Sequence, residues 1–316
     1  MPYINVDEAY ILDNTGLQVD QVVDIPYTDA ALTDGQKEQA RKNIAAGGTN
    51  PNLLDNPFLT VNQRGASGTV GASAYYLDRW KCTYASGVST SVGTGYVTLD
   101  GTANGDLVQP ISELPLGKTV TLSALLSDGT IESVTGTMPA TTPASATWVI
   151  DGSGTNVRLR IRWSGAIWQV YITPVVKPVT INAVKLEVGT VSTLANDTPP
   201  NYAEELAKCQ YYFERVKYTN GNLSISTGMS NGTYLYFPVT IHPKRAACTI
   251  TMTGNVKIGK SSASNDVSSI YTSGTSQDPS SGHIHLAVQM ASNIGYDEAW
   301  RLILTSGSYF DFSADL

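Results

Sequence analysis

The chain has 316 residues and a formal net charge of −7, and its 28 glycines and 17 tyrosines stand against only 5 phenylalanines. That composition favours turn-rich β structure over helical packing, and the acidic balance, with no basic run, argues against a nucleic-acid partner. No apolar run approaches the ~20 residues needed to span a bilayer, and no basic start leads into an apolar core, so a soluble chain made in a cytoplasm, with no membrane insertion, is expected.

Residues 1–51 read as an attachment arm. Ile4, Val6, Tyr10, Ile11, Leu12, Leu17, Val19, Val22 and Val23 are mixed with acids and are too few for an independent core. Such a segment orders only by pairing with other copies or by docking on a host surface. In Leu32 to Ile44, Thr33 and Gln36 fit a capping box. Asp34 sits near the positive end of the helix dipole and Lys42 near the negative end. Ala40 and Ile44 leave one narrow apolar stripe, and Gly47-Gly48 ends the helix. A stripe of this length is unstable alone in water. It is accounted for if three copies pack about an axis, or if the helix leans on the next domain. Val19, Val22, Ala40 and Ile44 are the expected contacts of a homotrimer.

Residues 52–198 read as a β-sandwich. Asn52 to Trp80 is expected to contribute the opening strand and Ala183 to Gly189 the closing one. Between them, strands are expected at Gly95–Leu99, Thr119–Leu126, Thr147–Ile150, Val157–Trp163 and Ile167–Ile172, each short, alternating or β-branched and bounded by turn residues. Evenly spaced strands without interleaved helices imply a sandwich or jelly roll. In Val157 to Trp163 the period is two: Val157, Leu159, Ile161 and Trp163 face one way, Arg158, Arg160 and Arg162 the other. A sugar site needs an aromatic face for a pyranose with polar groups beside it. The candidates are Tyr96, Trp163, Trp168 and Tyr171, with Arg158, Arg160 and Arg162 as donors. Against this, Trp80 and Trp163 fall in phase with core positions, and an arginine face is often solvated or shared between subunits. Asp78 and Arg79 are expected to fix the sandwich end through ion pairs or caps.

Residues 199–218 read as a connecting helix, capped by Asn201, with Glu204 and Glu205 in its first turn and Arg215 in its last. Leu206, Cys209, Tyr212 or Phe213, and Val216 give it one apolar face. Residues 219–316 read as a C-terminal β-sandwich head. Its expected strands are Leu223–Ser226, Thr233–Thr240, Ala247–Met252, His283–Met290 and Trp300–Leu304, and the stretch from Gly259 to Gly282 reads as a long polar excursion. Pro238 and Pro243 suit only strand ends or edges. His283 and His285 share a strand face; six such imidazoles in a trimer could ring an ion, but two surface histidines account for the pattern, and neither a metal nor a cofactor is expected. Cys82, Cys209 and Cys248 are too scattered for a disulfide framework or zinc knuckle and read as buried apolar residues.

Several of these stretches resemble bacteriophage proteins. Thr33-Asp34-Gly35-Gln36-Lys37-Glu38-Gln39-Ala40-Arg41-Lys42-Asn43-Ile44 resembles a linker of phage tail-fibre and other virion-fibre proteins, where it joins an attachment part to globular parts. Asp13-Asn14-Thr15-Gly16 with Val19 and Val22 resembles the start of some phage fibre proteins, head fibres among them. Asn62-Gln63-Arg64-Gly65, Asp78-Arg79-Trp80 and Val184-Lys185-Leu186-Glu187 resemble the two ends of a jelly-roll domain of such fibres that looks like a carbohydrate-binding module. Glu205 to Tyr212 resembles the helix before their terminal head, although the family more often has Arg where Tyr211 stands, and Tyr234 to Val239 with Pro243 resembles the head itself. The resemblance implies a homotrimeric, non-enzymatic tail fibre of the virion, bound to other phage structural proteins through residues 1–48 and adhering to a host surface glycan. A capsid-mounted head fibre would have the same features. A polysaccharide depolymerase is the reading from another class. It would need a carboxylate pair or a nucleophile elbow, and neither stands out in the sequence.

Overall fold

The computed structural model of the chain describes residues 49–70, 75–83, 88–101, 105–111, 114–217, 223–230, 234–254, 256–260, 263–267, 271–272, 282–289, 299–304 and 306–315. Residues 1–48 of the expected arm, with Val19, Val22, Ala40 and Ile44, lie outside these residues. What is described is mainly β, in antiparallel sheets with one α-helix.

The described residues of the first module form twelve strands: β1 (Gly68–Val70), β2 (Tyr75–Leu77), β3 (Trp80–Thr83), β4 (Val88–Gly93), β5 (Tyr96–Gly101), β6 (Asp106–Ile111), β7 (Thr119–Leu126), β8 (Ile131–Thr137), β9 (Thr147–Ser153), β10 (Val157–Ser164), β11 (Ile167–Pro174) and β12 (Val179–Val188). They form two six-stranded sheets, β1-β4-β5-β12-β7-β8 and β2-β3-β6-β11-β10-β9. Both sheets turn alternate residues onto one shared core. Leu99, Leu122 and Leu186 come from the first sheet, Leu159, Ile161 and Val170 from the second, and all are buried. Each such side chain contributes roughly 1.5–3 kcal/mol by leaving water. The closing stretch is a strand as expected, and β12 lies centrally between β5 and β7.

The opening stretch departs from expectation. Residues 51–67 are not a strand. Pro51 and Pro57 each lack an amide donor, and Asn56 and Leu59 take positive φ of 50° and 57°, which no strand accommodates. The segment instead lies along β12, fixed by Leu53 N donating to Leu186 O at 2.8 Å and Val184 N donating to Pro57 O at 2.9 Å. The Asn52 side chain supports this contact, giving a hydrogen bond to Val184 O and accepting one from Leu186 N.

The outward side of β12 is covered by the chain that follows it. Lys185 and Glu187 are fully buried there. Lys185 Nζ reaches Asp197 at 2.6 Å and Thr193 Oγ1 at 2.8 Å, while Glu187 accepts from the backbone and hydroxyl of Thr193. Burying these charges is tolerable because each is paired and hydrogen-bonded.

Asn201 caps helix α1 (Tyr202–Gln210), its side chain accepting from Ala203 N. The sequence predicts this helix on to Val216, but it ends at Gln210, and β13 (Phe213–Lys217) follows. The aromatic and β-branched run from Tyr211 to Val216 fits a strand as well as a helix face. Pairing with the C-terminal strand β22 (Tyr309–Ser313) decides it, setting Val216 opposite Phe310 and Glu214 opposite Phe312. Between them lie β14 (Leu223–Ser230), β15 (Tyr234–Thr240), β16 (Thr249–Thr253), β17 (Val256–Lys260), β18 (Ala263–Val267), β19 (Tyr271–Thr272), β20 (His283–Gln289) and β21 (Ala299–Leu304). They form the sheets β13-β22-β16 and β18-β17-β21-β14-β15-β20-β19 around Phe237, Ile284, Leu302, Phe310 and Phe312. The expected polar excursion therefore carries strands: β17 and β18 pair from Val256 opposite Val267 to Lys260 opposite Ala263. Pro238 sits in a part of β15 that pairs with β20 but not with β14, a local edge.

Asn52 to Trp80 joins the two modules. Asn56 is fully buried; its side chain donates to Val61 O and Asp78 O and accepts from Val61 N. Its backbone N donates to the buried Glu205 of α1, and its carbonyl accepts from Trp80 Nε1. Arg79 pairs with Asp55 at 3.0 Å, donates to Pro110 O at 2.7 Å and stacks on Tyr212, its guanidinium carbon 3.4 Å from the ring centroid. Arg64 pairs with Asp315 and lies 3.6 Å over the Phe213 ring. Asp78 accepts from both the backbone and the side-chain nitrogens of Gln63, whose amide also donates to Phe213 O at 2.9 Å.

Burial pushes the Asp78 carboxyl up to about 6, and the Gln63 hydrogen bonds only partly oppose it. A carboxyl raised above its ordinary 3.8 takes up its proton more readily in the folded state. The resulting stability is complete below the ordinary value and is lost as pH rises through 6. Measured as the difference in urea midpoint between the native chain and Asp78→Asn, the balance should move toward the native chain as pH falls from 7 to 5. A difference that does not change with pH would contradict this.

Candidate functional site

The outward face of the second sheet is built by β10 and its neighbours. Gly165 and Ala166, both at positive φ, make the two-residue turn from β10 to β11. The turn sets Arg158 opposite Thr173, Arg160 opposite Tyr171 and Arg162 opposite Gln169. On the other side β9 places Asp151 opposite Arg160 and Trp148 opposite Arg162. β6 joins beyond β11 and contributes Asp106.

Trp148 reaches this face through a register shift. Ile150 pairs with Ile161 and Trp148 with Arg162, so Val149 is the extra residue of a β-bulge. Without the bulge Trp148 would share the side of Ile150, which is buried in the core. With it, the indole lies outside and 39% of its surface is exposed. Its ring centroid is 4.1 Å from the Arg160 guanidinium carbon and 5.1 Å from that of Arg162. The Tyr171 ring meets it edge-on at 5.0 Å and 72°. Both geometries are favourable for an aromatic quadrupole.

The polar groups around the indole are ordered by one another. Arg158 grips Asp151 side-on, Nε to Oδ1 at 2.7 Å and Nη2 to Oδ2 at 2.6 Å. This pair is substantially exposed and adds little stability. Arg160 donates from Nη2 to Asp106 at 3.0 Å and to Thr173 Oγ1 at 2.6 Å, and Thr173 in turn donates to Asp106. Tyr171 donates its hydroxyl to Gln169 Oε1 at 2.7 Å. Burial raises the Tyr171 hydroxyl above its ordinary range against the opposing Arg162, so it stays a donor at neutral pH. The Nε atoms of Arg160 and Arg162 are buried without a hydrogen-bond partner. A partly exposed indole with two guanidiniums over its ring, and an amide and a hydroxyl on the next strand but one, can take up a polyhydroxylated ring on its open part by stacking and directional hydrogen bonds.

Of the residues expected to bind, Arg158, Arg160, Arg162 and Tyr171 come together here. Trp163 and Trp168 do not. They lie on the core side of β10 and β11, their ring centroids 5.0 Å apart, with Trp168 only 5% exposed and Trp163 packed against the core. Strand alternation puts them there, opposite the arginines. Tyr96 is exposed but begins β5 in the other sheet, beside Gly93, where a Cβ would overlap its ring. His283 is exposed at the start of β20, and no group of three or more possible metal ligands is found among the described residues. The sequence reading missed Trp148, Asp106, Asp151, Gln169 and Thr173. The last four follow once the register around the three arginines is known. Simple alternation from Ile150 points Trp148 the wrong way.

Compared with known protein families the chain matches none, and no curated protein sequence matches it.

Proposed function

We propose that the chain is a structural, adhesive fibre of a phage virion, a homotrimer that meets host surface polysaccharide through the outward face of β6, β11, β10 and β9. The observation that carries the adhesive part is Trp148, which a bulge turns out of the core and leaves 39% exposed beside Arg160, Arg162 and Tyr171. A large aromatic held among directional donors, with part of its surface left open, suits a sugar ring. The outer side of β12 on the opposite sheet offers no comparable surface, because its charged residues are buried under residues 189–197. The viral part is supported by the fibre-like linker at Thr33–Ile44 and by the jelly-roll resemblance at both ends of the first module. Each glycan contact is weak, and copies joined through the arm raise avidity without new contacts. Asp106 and Asp151 are both occupied by arginine, which favours holding a polymer over cleaving it.

The test is to pass the full chain over a panel of bacterial surface polysaccharides and to assay each bound polymer for new reducing ends. Retention on at least one polymer, without new ends, is the expected result. No retention at any polymer density would overturn the adhesive reading, and new reducing ends would replace it with a depolymerase.

A further inference from the structure

We infer that the polymer taken up by this face is acidic, and that Arg162 receives a carboxylate of the sugar stacked at Trp148. The inference rests on the adhesive reading above. Across β6, β11, β10 and β9 the outward side chains include Arg158, Arg160 and Arg162 but only two carboxylates, Asp106 and Asp151. Arg158 is matched to Asp151 and Arg160 to Asp106. Among the described residues Arg162 has no carboxylate partner, and its buried Nε has no hydrogen-bond partner at all.

The position of Arg162 makes it the receiver. It stands between Trp148 on β9 and Gln169 on β11, its guanidinium carbon 5.1 Å from the indole centroid. A sugar on the open part of the indole lies on the strand next to Arg162. Arg158 and Asp151 show how a carboxylate docks on this same face, through Nε and one terminal nitrogen together. The Arg162 Nε is buried, so a carboxylate arriving from solvent would meet the terminal nitrogens of this partly exposed side chain. The chain as a whole carries −7 and would repel an anionic polymer. A face with one unmatched guanidinium gives such a polymer a place to bind in register rather than by general attraction.

The experiment uses the full chain on sensor surfaces bearing polygalacturonate, alginate, polysialic acid and acidic capsular polysaccharides, each beside its carboxyl-reduced form. At least one native polymer should be retained, its reduced form binding about ten- to a hundredfold more weakly, the size of a lost charge-assisted contact. Arg162→Gln should weaken the native polymer by a similar factor and the reduced form by a clearly smaller one, so that the ratio of the two narrows. Arg162→Lys, which keeps the charge but not the fork, should fall between. Melting temperatures of both variants check that the sandwich is intact. Retention that is indifferent to carboxyl reduction, whether on neutral or on sulphated and phosphorylated polymers, overturns the inference and leaves the adhesive reading standing if Trp148 is still required. Retention of no polymer overturns both.

Discussion

Asn56→Ala should lower the unfolding free energy by about 3–5 kcal/mol, read as a fall in urea midpoint at constant slope. The side chain is fully buried and makes three hydrogen bonds to backbone: to Val61 O and Asp78 O, and from Val61 N. Alanine leaves Val61 N and Asp78 O without these side-chain partners and away from water, while Val61 O keeps the Asp78 N–H. Each orphaned group costs roughly 1–3 kcal/mol, and losses that share one site do not add fully. Asn56 also holds φ of 50°, which asparagine tolerates and alanine resists. Asn56→Gly separates the two effects, relieving the backbone but not restoring the hydrogen bonds, and should recover only about 1 kcal/mol. A loss under about 1 kcal/mol for Asn56→Ala would show that Asn56 does not hold the opening segment as described.

Trp148→Ala should have the opposite profile. Retention on polysaccharide should fall by about ten- to a hundredfold, the effect of removing a stacking platform worth ~1–3 kcal/mol. Stability should change by only about 1–2 kcal/mol, because the indole gives the fold no more than a partly exposed stack with Arg160 and an edge-on meeting with Tyr171. Trp168→Ala is the control. That ring is 5% exposed in the core, so its loss should cost about 3–5 kcal/mol of stability. Where the Trp168 variant still folds, its binding should survive. Equal binding by the Trp148 variant and the native chain would remove the indole from the site.

Much of the first module was legible in the sequence because its strands obey period two. Val157 to Trp163 announced its two faces, and the structure keeps them. Two features escaped for the same reason, that a local pattern is settled by a distant partner. Tyr211 to Val216 continues a helical face in sequence, yet β13 forms because β22, nearly a hundred residues on, supplies its hydrogen bonds. Trp148 looks like a core residue beside Ile150 until β10 imposes the bulge at Val149. The opening stretch failed differently: Asn52, Asn56 and Gln63 use side-chain amides in place of strand pairing. The asparagines, glutamine and prolines there were visible, but which backbone groups they would satisfy was not. Trp163 and Trp168 have the chemistry of a sugar platform, but strand alternation places them opposite the arginines, on the core side.

The central claim is that the outward face of β6, β11, β10 and β9 is where the chain meets a surface polymer. Hydroxyl-radical footprinting of the full chain, with and without a polysaccharide it retains, tests this most directly. Oxidation of Trp148 should drop sharply on binding while that of exposed Tyr96, on the other sheet, and Tyr211, after α1, stays unchanged. Unaltered oxidation of Trp148 with protection at Tyr96 or within 219–316 would contradict the account and move the site elsewhere.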